Sequence, residues 1–224
     1  RLLSEAKFPV ILSGAGVVLG NAIADCVALA EKLDAPVCNN YQHNDSFPGS
    51  HRYAVGPLGY NGSKAAMELI SKADVVLALG TRLNPFSTLP CYGLDYWPKN
   101  AKVIQVDINP DRIGLTKPVS VPICGDSKLV AQQILKLLKP STDKAARDAR
   151  VAAIADAKKR WAQELVSLDH EQDDPGTDWN AKSREREPGH LSPRKAWRAV
   201  IKGLPADAII SSDIGNNCAI GNAY

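Results

Sequence analysis

No hydrophobic run in this chain approaches the roughly 20 residues that a bilayer-spanning helix needs. The first residues do not read as a secretory leader either. Charge of one sign is scarce as well. A net charge of +3 over 224 residues implies neither a nucleic-acid nor a membrane partner. The five cysteines, Cys26, Cys38, Cys91, Cys124 and Cys218, are odd in number and far apart. The absence of a CxxC and of a Cys/His cluster argues against a zinc site or disulfide framework, and no metal ligand is assigned. Most of the cysteines are read as small buried hydrophobes in a reducing cytoplasm. His43, His51, His170 and His190 have no partner at metal-ligand spacing and read as surface or loop residues. There is no G-x-S-x-G, no P-loop Lys and no recognisable carboxylate pair, so no catalytic residue is assigned.

What is present is a packed α/β pattern. The chain is 45% hydrophobic, enough for a core. Strands read at 9–13, 36–39, 74–79, 102–108 and 119–124. Helical patterns separate them: one with Ala22, Ile23, Cys26, Val27, Ala30 and Leu33 on one face, and one from Ser63 to Lys72. A third follows the fifth strand, with Leu129, Val130, Ile134, Leu137 and Leu138 facing in. Alternating strands and helices predict a parallel sheet covered on both faces, with right-handed crossovers.

After Pro140 the composition changes. Residues 141–190 carry nine Lys/Arg and eleven Asp/Glu, read as a charged helical linker. Asp143 to Leu168 can be helical, with Val151, Ile154, Trp161, Leu165 and Leu168 in a narrow stripe. Asp169 to Gly189 reads as exposed and turn-rich. Ser192-Pro193 then opens a helix whose buried side would be Ala196, Trp197, Val200 and Ile201. A strand is expected at 208–212, so 191–224 reads as the first βα unit of a second, cut-off domain. The start at Arg1, close to a strand, likewise suggests part of something longer.

The most informative stretch is Lys102 to Gly114. Val103, Ile104, Val106 and Ile108 read as a buried strand that Asn109-Pro110 stops. Asp107 would then stand at the carboxyl end of a parallel strand, where open α/β sheets bind ligands. Capping of the following turn is the alternative role for this Asp. Gly14-Ala15-Gly16, with Gly20 after it, is not the dinucleotide fingerprint. It suits a phosphate approach or a bare tight turn equally. The second strand ends in Asn39-Asn40 without an acidic ribose ligand, which disfavours a hydride-transfer site. Gly80-Thr81-Arg82 follows the third strand, where Arg82 suits an anion clamp or a structural role. Gly125-Asp126 is most simply a helix cap. In Asp213 to Asn217, a Gly loop and two amides could meet a diphosphate.

These motifs, in this order, resemble the central domain of thiamine-diphosphate-dependent enzymes of the acetohydroxyacid synthase type. The residues are Gly14-Ala15-Gly16, Gly80-Thr81-Arg82, Asp107-Ile108-Asn109-Pro110, Gly125-Asp126 and Ser211-Ser212-Asp213-Ile214-Gly215. Within that family, Gly56 to Ala66, Thr81 to Ser87 and Tyr96-Trp97-Pro98 resemble the branch that acts on sulfoacetaldehyde. The resemblance implies a parallel six-stranded Rossmann-like central domain at 1–140 and the opening of the diphosphate-binding domain at 191–224. It implies an acyltransferase that turns sulfoacetaldehyde and phosphate into acetyl phosphate and sulfite. Thiamine diphosphate and Mg²⁺ would be bound mainly outside this chain, in a homodimer or homotetramer. Ile214, Gly215, Asn216 and Asn217 match the loop that approaches the diphosphate. Gly14, Gly16, Thr81, Arg82, Asp107, Asn109 and Asp126 would line a possible nucleotide cleft. FAD is not expected, because Gly56-Pro57-Leu58-Gly59 and Arg82-Leu83-Asn84-Pro85-Phe86 depart from the flavin-binding pattern. Acetolactate synthesis, and a regulatory nucleotide-binding domain without catalysis, are the competing readings. On this reading the 224 residues alone would turn over nothing.

Overall fold

The computed structural model describes residues 1–139, 141–170, 193–205, 207–212 and 215–222. Its centre is one six-stranded sheet: β1 (Pro9–Ser13), β2 (Val37–Asn39), β3 (Ala54–Pro57), β4 (Val75–Leu79), β5 (Lys102–Asp107) and β6 (Val121–Cys124). Spatial order is β3-β2-β1-β4-β5-β6, and every pair is parallel. All five residues of β1 and all five of β4 are buried, as continuous apolar runs require when both faces are covered. The edges tolerate proline: Pro57 lies in β3 and Pro122 in β6, where a missing N–H costs no central ladder bond.

β3 is the strand that sequence reasoning missed. It is four residues long, contains Gly56 at φ +90°, and ends in proline. All three features argue against a strand locally, and only pairing with β2 forms it. β5 ends at Asp107, so Ile108 falls outside the strand and is exposed.

The helices are α1 (Leu2–Glu5), α2 (Ala15–Leu19), α3 (Ile23–Leu33), α4 (Lys64–Ser71), α5 (Ser127–Leu137), α6 (Lys144–His170), α7 (Pro193–Gly203) and α8 (Asn216–Gly221). α3 turns the expected face inward, with Cys26, Ala30 and Leu33 buried. Asp34 ends it in the left-handed conformation at φ +49°. α4 starts on Ser63, whose hydroxyl accepts from the Ala66 N–H. In α5, Leu129 and Leu137 are 62% and 79% exposed, contrary to expectation. The face that packs on α3 is narrower and centres on buried Ala131, and Lys32 of α3 donates to the Leu135 carbonyl at 2.8 Å.

α6 packs along α4 and buries Ile154, Ala157, Trp161 and Leu165, largely the predicted stripe. Polar bonds fix its register. Arg147 Nε lies 2.5 Å from Asp34 Oδ2, while Tyr53 donates to Asp34 Oδ1 at 2.5 Å. Buried Arg150 donates to the carbonyls of Lys7 and Leu33 at 2.7 and 3.2 Å. Arg160 pairs with Glu68, and Lys64 with Glu164. Residues 171–190 of the charged stretch lie outside the described residues, and so does Ser192.

The expected strand at 208–212 is absent. These residues are irregular, and Ile209 is 97% exposed. A strand needs a partner strand, and no described strand pairs with them. α7 buries none of its residues. Val200 and Ile201 are exposed, and Ala196 and Trp197 only half-buried.

Candidate functional site

The strand order reverses between β1 and β4, and ligands of such sheets bind beyond the strand ends at that point. A cavity of about 410 Å³ lies there, lined in part by Gly16, Asn40, Thr81, Arg82, Asp107, Asn109, Arg112 and Asp126. Six of the seven expected cleft residues therefore share one opening. Gly14 lies beside it, in the turn that shapes it.

The glycines serve packing between turns. A Cβ on Gly14 would come within 2.6 Å of Thr81 Cβ, and one on Gly16 within 2.7 Å of Gly80 Cα. Gly80 itself is at φ +62°. The Gly16 N–H donates to the Gly80 carbonyl at 2.8 Å, so it is already engaged. Gly14-Ala15-Gly16 thus forms the tight turn, with Ala15 and Gly16 on the wall of the cleft.

Thr81 is buried, and its Oγ1 accepts from the Leu83 N–H at 3.2 Å. Arg82 is exposed at the rim. Asp107 Oδ1 accepts from the Asn109 N–H at 2.9 Å, and Asn109 Oδ1 from the Asp111 N–H at 2.9 Å. Asp107 is thus both a strand-end carboxylate at the cleft and a turn-maker. Asp126 caps α5, with Oδ1 accepting from the N–H groups of Lys128 and Leu129 at 2.9 and 3.0 Å. Its second oxygen borders Gly20.

Sequence reasoning missed Gln105, Arg112 and Ser127. Gln105 is buried in β5 and donates to the Thr81 and Arg112 carbonyls at 3.1 and 3.2 Å. It also accepts from the Gly114 N–H at 2.9 Å, tying the β4 and β5 exits together. A lone amide inside an apolar strand was the available signal. Arg112 and Ser127 carry no local pattern and reach the cleft only through the fold.

The two loops that depart from the flavin pattern pack on each other. Leu58 and Leu83 are fully buried. At Gly59, φ +93°, a Cβ would sit 1.8 Å from the Phe86 carbonyl oxygen. The second candidate region is the start of α8. Gly215 has φ +149°, a conformation side chains rarely adopt. Ile214 lies outside the described residues. Asn216 and Asn217 open α8. Among the described residues no group of three or more His, Cys, Asp or Glu could hold a metal ion. No described helix is long and apolar enough to cross a membrane.

Residues 1–134 match the family model for the thiamine pyrophosphate enzyme central domain, and the chain belongs to that family. It is 72% identical, over all 224 residues, to a probable sulfoacetaldehyde acetyltransferase of Rhizobium meliloti (strain 1021), and covers 38% of that protein. It is 69% identical over the same span to the sulfoacetaldehyde acetyltransferase of Roseovarius nubinhibens, covering 37% of it. A probable acetolactate synthase large subunit of Methanocaldococcus jannaschii is 36% identical over 138 residues, 62% of this chain and 23% of that protein. The chain thus spans little more than a third of the curated relatives it matches.

Proposed function

We propose that this chain is part of a thiamine-diphosphate-dependent acyltransferase that converts sulfoacetaldehyde and phosphate to acetyl phosphate and sulfite. One observation carries the proposal: the alignments to the sulfoacetaldehyde acetyltransferases, 72% and 69% identical overall, span all 224 residues and so extend past the family match at 1–134. The domain division is 1–140 for the central domain, 141–190 for the connecting stretch, and 191–224 for the opening of the diphosphate-binding domain. When bound, thiamine diphosphate supplies the nucleophilic carbon and electron sink for carbon–sulfur cleavage. This chain's own task is placement. The sheet is a rigid base, and Ile214, Gly215, Asn216 and Asn217 approach the diphosphate. The conformation of Gly215 fits a loop where a ligand must come close to the backbone. Mg²⁺, the activating carboxylate and the substrate groups belong to other parts of a cytoplasmic homo-oligomer. No flavin is held on this reading, because the loops around Leu58 and Asn84 depart from the flavin-binding pattern. The purified protein is accordingly colourless.

The test is a product assay on the full-length enzyme with thiamine diphosphate, Mg²⁺, phosphate and either sulfoacetaldehyde or pyruvate. Phosphate-dependent release of sulfite with acetyl phosphate supports the proposal. Acetolactate from pyruvate with no sulfite from sulfoacetaldehyde overturns it. For the loop, Asn217→Ala removes one hydrogen bond to a charged group, about 1.5–3 kcal/mol. Thiamine diphosphate binding then weakens about tenfold to a hundredfold.

A further inference from the structure

The loop leaving β2 touches both candidate regions. Gln42 and His43 line the cleft at the sheet's carboxyl edge and also a second cavity of about 850 Å³. That second cavity lies between Tyr41–Asp45 with the Tyr60 and Phe86 rings on one side and Ile209–Ser212 with Gly215 on the other.

The loop is pinned to the sheet at both ends. The Asn40 N–H donates to the Ser13 carbonyl at 2.8 Å, and Asn40 Oδ1 accepts from the Ser87 hydroxyl. The Tyr41 N–H donates to Ser87 Oγ at 3.1 Å. Further on, Ser46 Oγ accepts from Asn39 Nδ2 at 3.0 Å and donates to the His43 carbonyl at 2.8 Å. Ser13 Oγ closes the ring by donating to the Ser46 carbonyl at 3.1 Å. A six-residue loop with this many bonds has little freedom to move, so its tip is as well placed as the sheet.

The tip faces α8. Asn44 Nδ2 donates to Asn222 Oδ1 at 3.1 Å. The Tyr41 phenol lies against Cys218 and Asn222, which are four residues apart and therefore on one side of the helix. The Tyr60 and Phe86 rings flank Tyr41 with centroids 6.4 and 6.3 Å away. α8 is only six residues long, too short to hold its own place. Trp197 of α7 packs against it at Gly221, and the loop tip meets it elsewhere.

We infer that the Asn40–Asp45 loop is a positioning bracket: Tyr41 and Asn44 hold α8 against the sheet, and through α8 they set where Gly215 to Asn217 meet the diphosphate. This rests on the diphosphate role proposed for those residues. Tyr41 and Asn44 touch no cofactor themselves. They act by keeping the loop in its binding geometry, so that less ordering remains to be done on binding.

The experiment uses the full-length enzyme and three variants, Asn44→Ala, Asn222→Ala and the double variant, with Tyr41→Phe alongside. Thiamine diphosphate Kd is read by calorimetry in saturating Mg²⁺. The kcat at saturating cofactor and the thermal midpoint without cofactor are read in parallel. One neutral hydrogen bond corresponds to a weakening of about twofold to tenfold. Asn44→Ala and Asn222→Ala each raise Kd by that factor, and the double variant is no worse than either single one. The kcat and the cofactor-free midpoint move far less. Equal losses in Kd, kcat and midpoint overturn the inference, because they describe a contact that only supports the fold. Asn217→Ala separates the two layers. If it weakens binding while Asn44→Ala and Tyr41→Phe do not, the bracket falls and the diphosphate reading stands. If none of the variants changes Kd, both fall.

Discussion

The sheet with α6 and the segment from Pro193 to Asn222 obey the same chemistry with opposite results. In the first, Val10, Ile11 and Leu12 of β1 and Val76 to Leu79 of β4 are sealed from water. In the second, Ile209, Ile210, Val200 and Ile201 are all exposed, although their composition reads as strand and buried helix face. The difference is the presence of neighbours. Five parallel pairings and two helical layers complete the first region. Among the described residues the second has α7 against α8 and the edge of α6, and the loop after β2. Apolar pattern states what a segment would bury, and pairing decides whether it does.

The sharpest contrast is a matched pair of truncations. Leu77→Ala in the centre of β4 costs about 2–5 kcal/mol, as for other buried leucines. Ile209→Ala costs about 0.5 kcal/mol or less in this chain, because its side chain is almost fully exposed. Urea midpoints of the two variants check both values. Comparable losses would mean that the second region has a core of its own.

Smaller effects follow at the turn junction. Gly16→Ala drives a methyl to within 2.7 Å of Gly80 Cα and 2.9 Å of Ser127 Oγ, and should cost about 1–3 kcal/mol. Gly203→Ala, on open space in α7, should be neutral or slightly stabilising.

The α6 latch adds a pH test. Burial works to raise the Asp34 pKa, but the bonds from Arg147 and Tyr53 outweigh it and hold the carboxyl below its usual range. A depressed folded pKa contributes stability above the ordinary aspartate value near 4, lost as pH falls through the folded value. Arg147→Ala should therefore cost about 1–2 kcal/mol at pH 7 and less near pH 3. Denaturation at the two pH values reads the difference. A small effect is also expected of Arg82→Ala. Its exposed side chain should be worth less than about 0.5 kcal/mol of stability.

Legibility in the sequence follows the same division. β1, β4 and β5 were readable because buried parallel strands are continuous apolar runs. Asp107 and Asp126 were readable as strand-end and cap residues because those roles have local patterns. β3 was not, since Gly56 and Pro57 break the local signal and pairing with β2 restores it. The exposure of Leu129 and Leu137 was hidden for a related reason. Their spacing fits a helix face, but buried Ala131 and the α3 contact select a neighbouring one. The bracket loop was invisible, because Asn40, Ser46 and Ser87 meet only after β1, β2 and β4 align.

On the proposed function, thiamine diphosphate meets the weakly packed region while the sheet serves as its base. Amide hydrogen exchange of the full-length enzyme, with and without thiamine diphosphate and Mg²⁺, reads this placement. New protection is expected across residues 215–222, with smaller gains in the 40–45 loop and no change in β1, β4 and β5. New protection at 80–84 and 107–112, with none at 215–222, would contradict it and place the cofactor's diphosphate in the sheet-edge cleft instead.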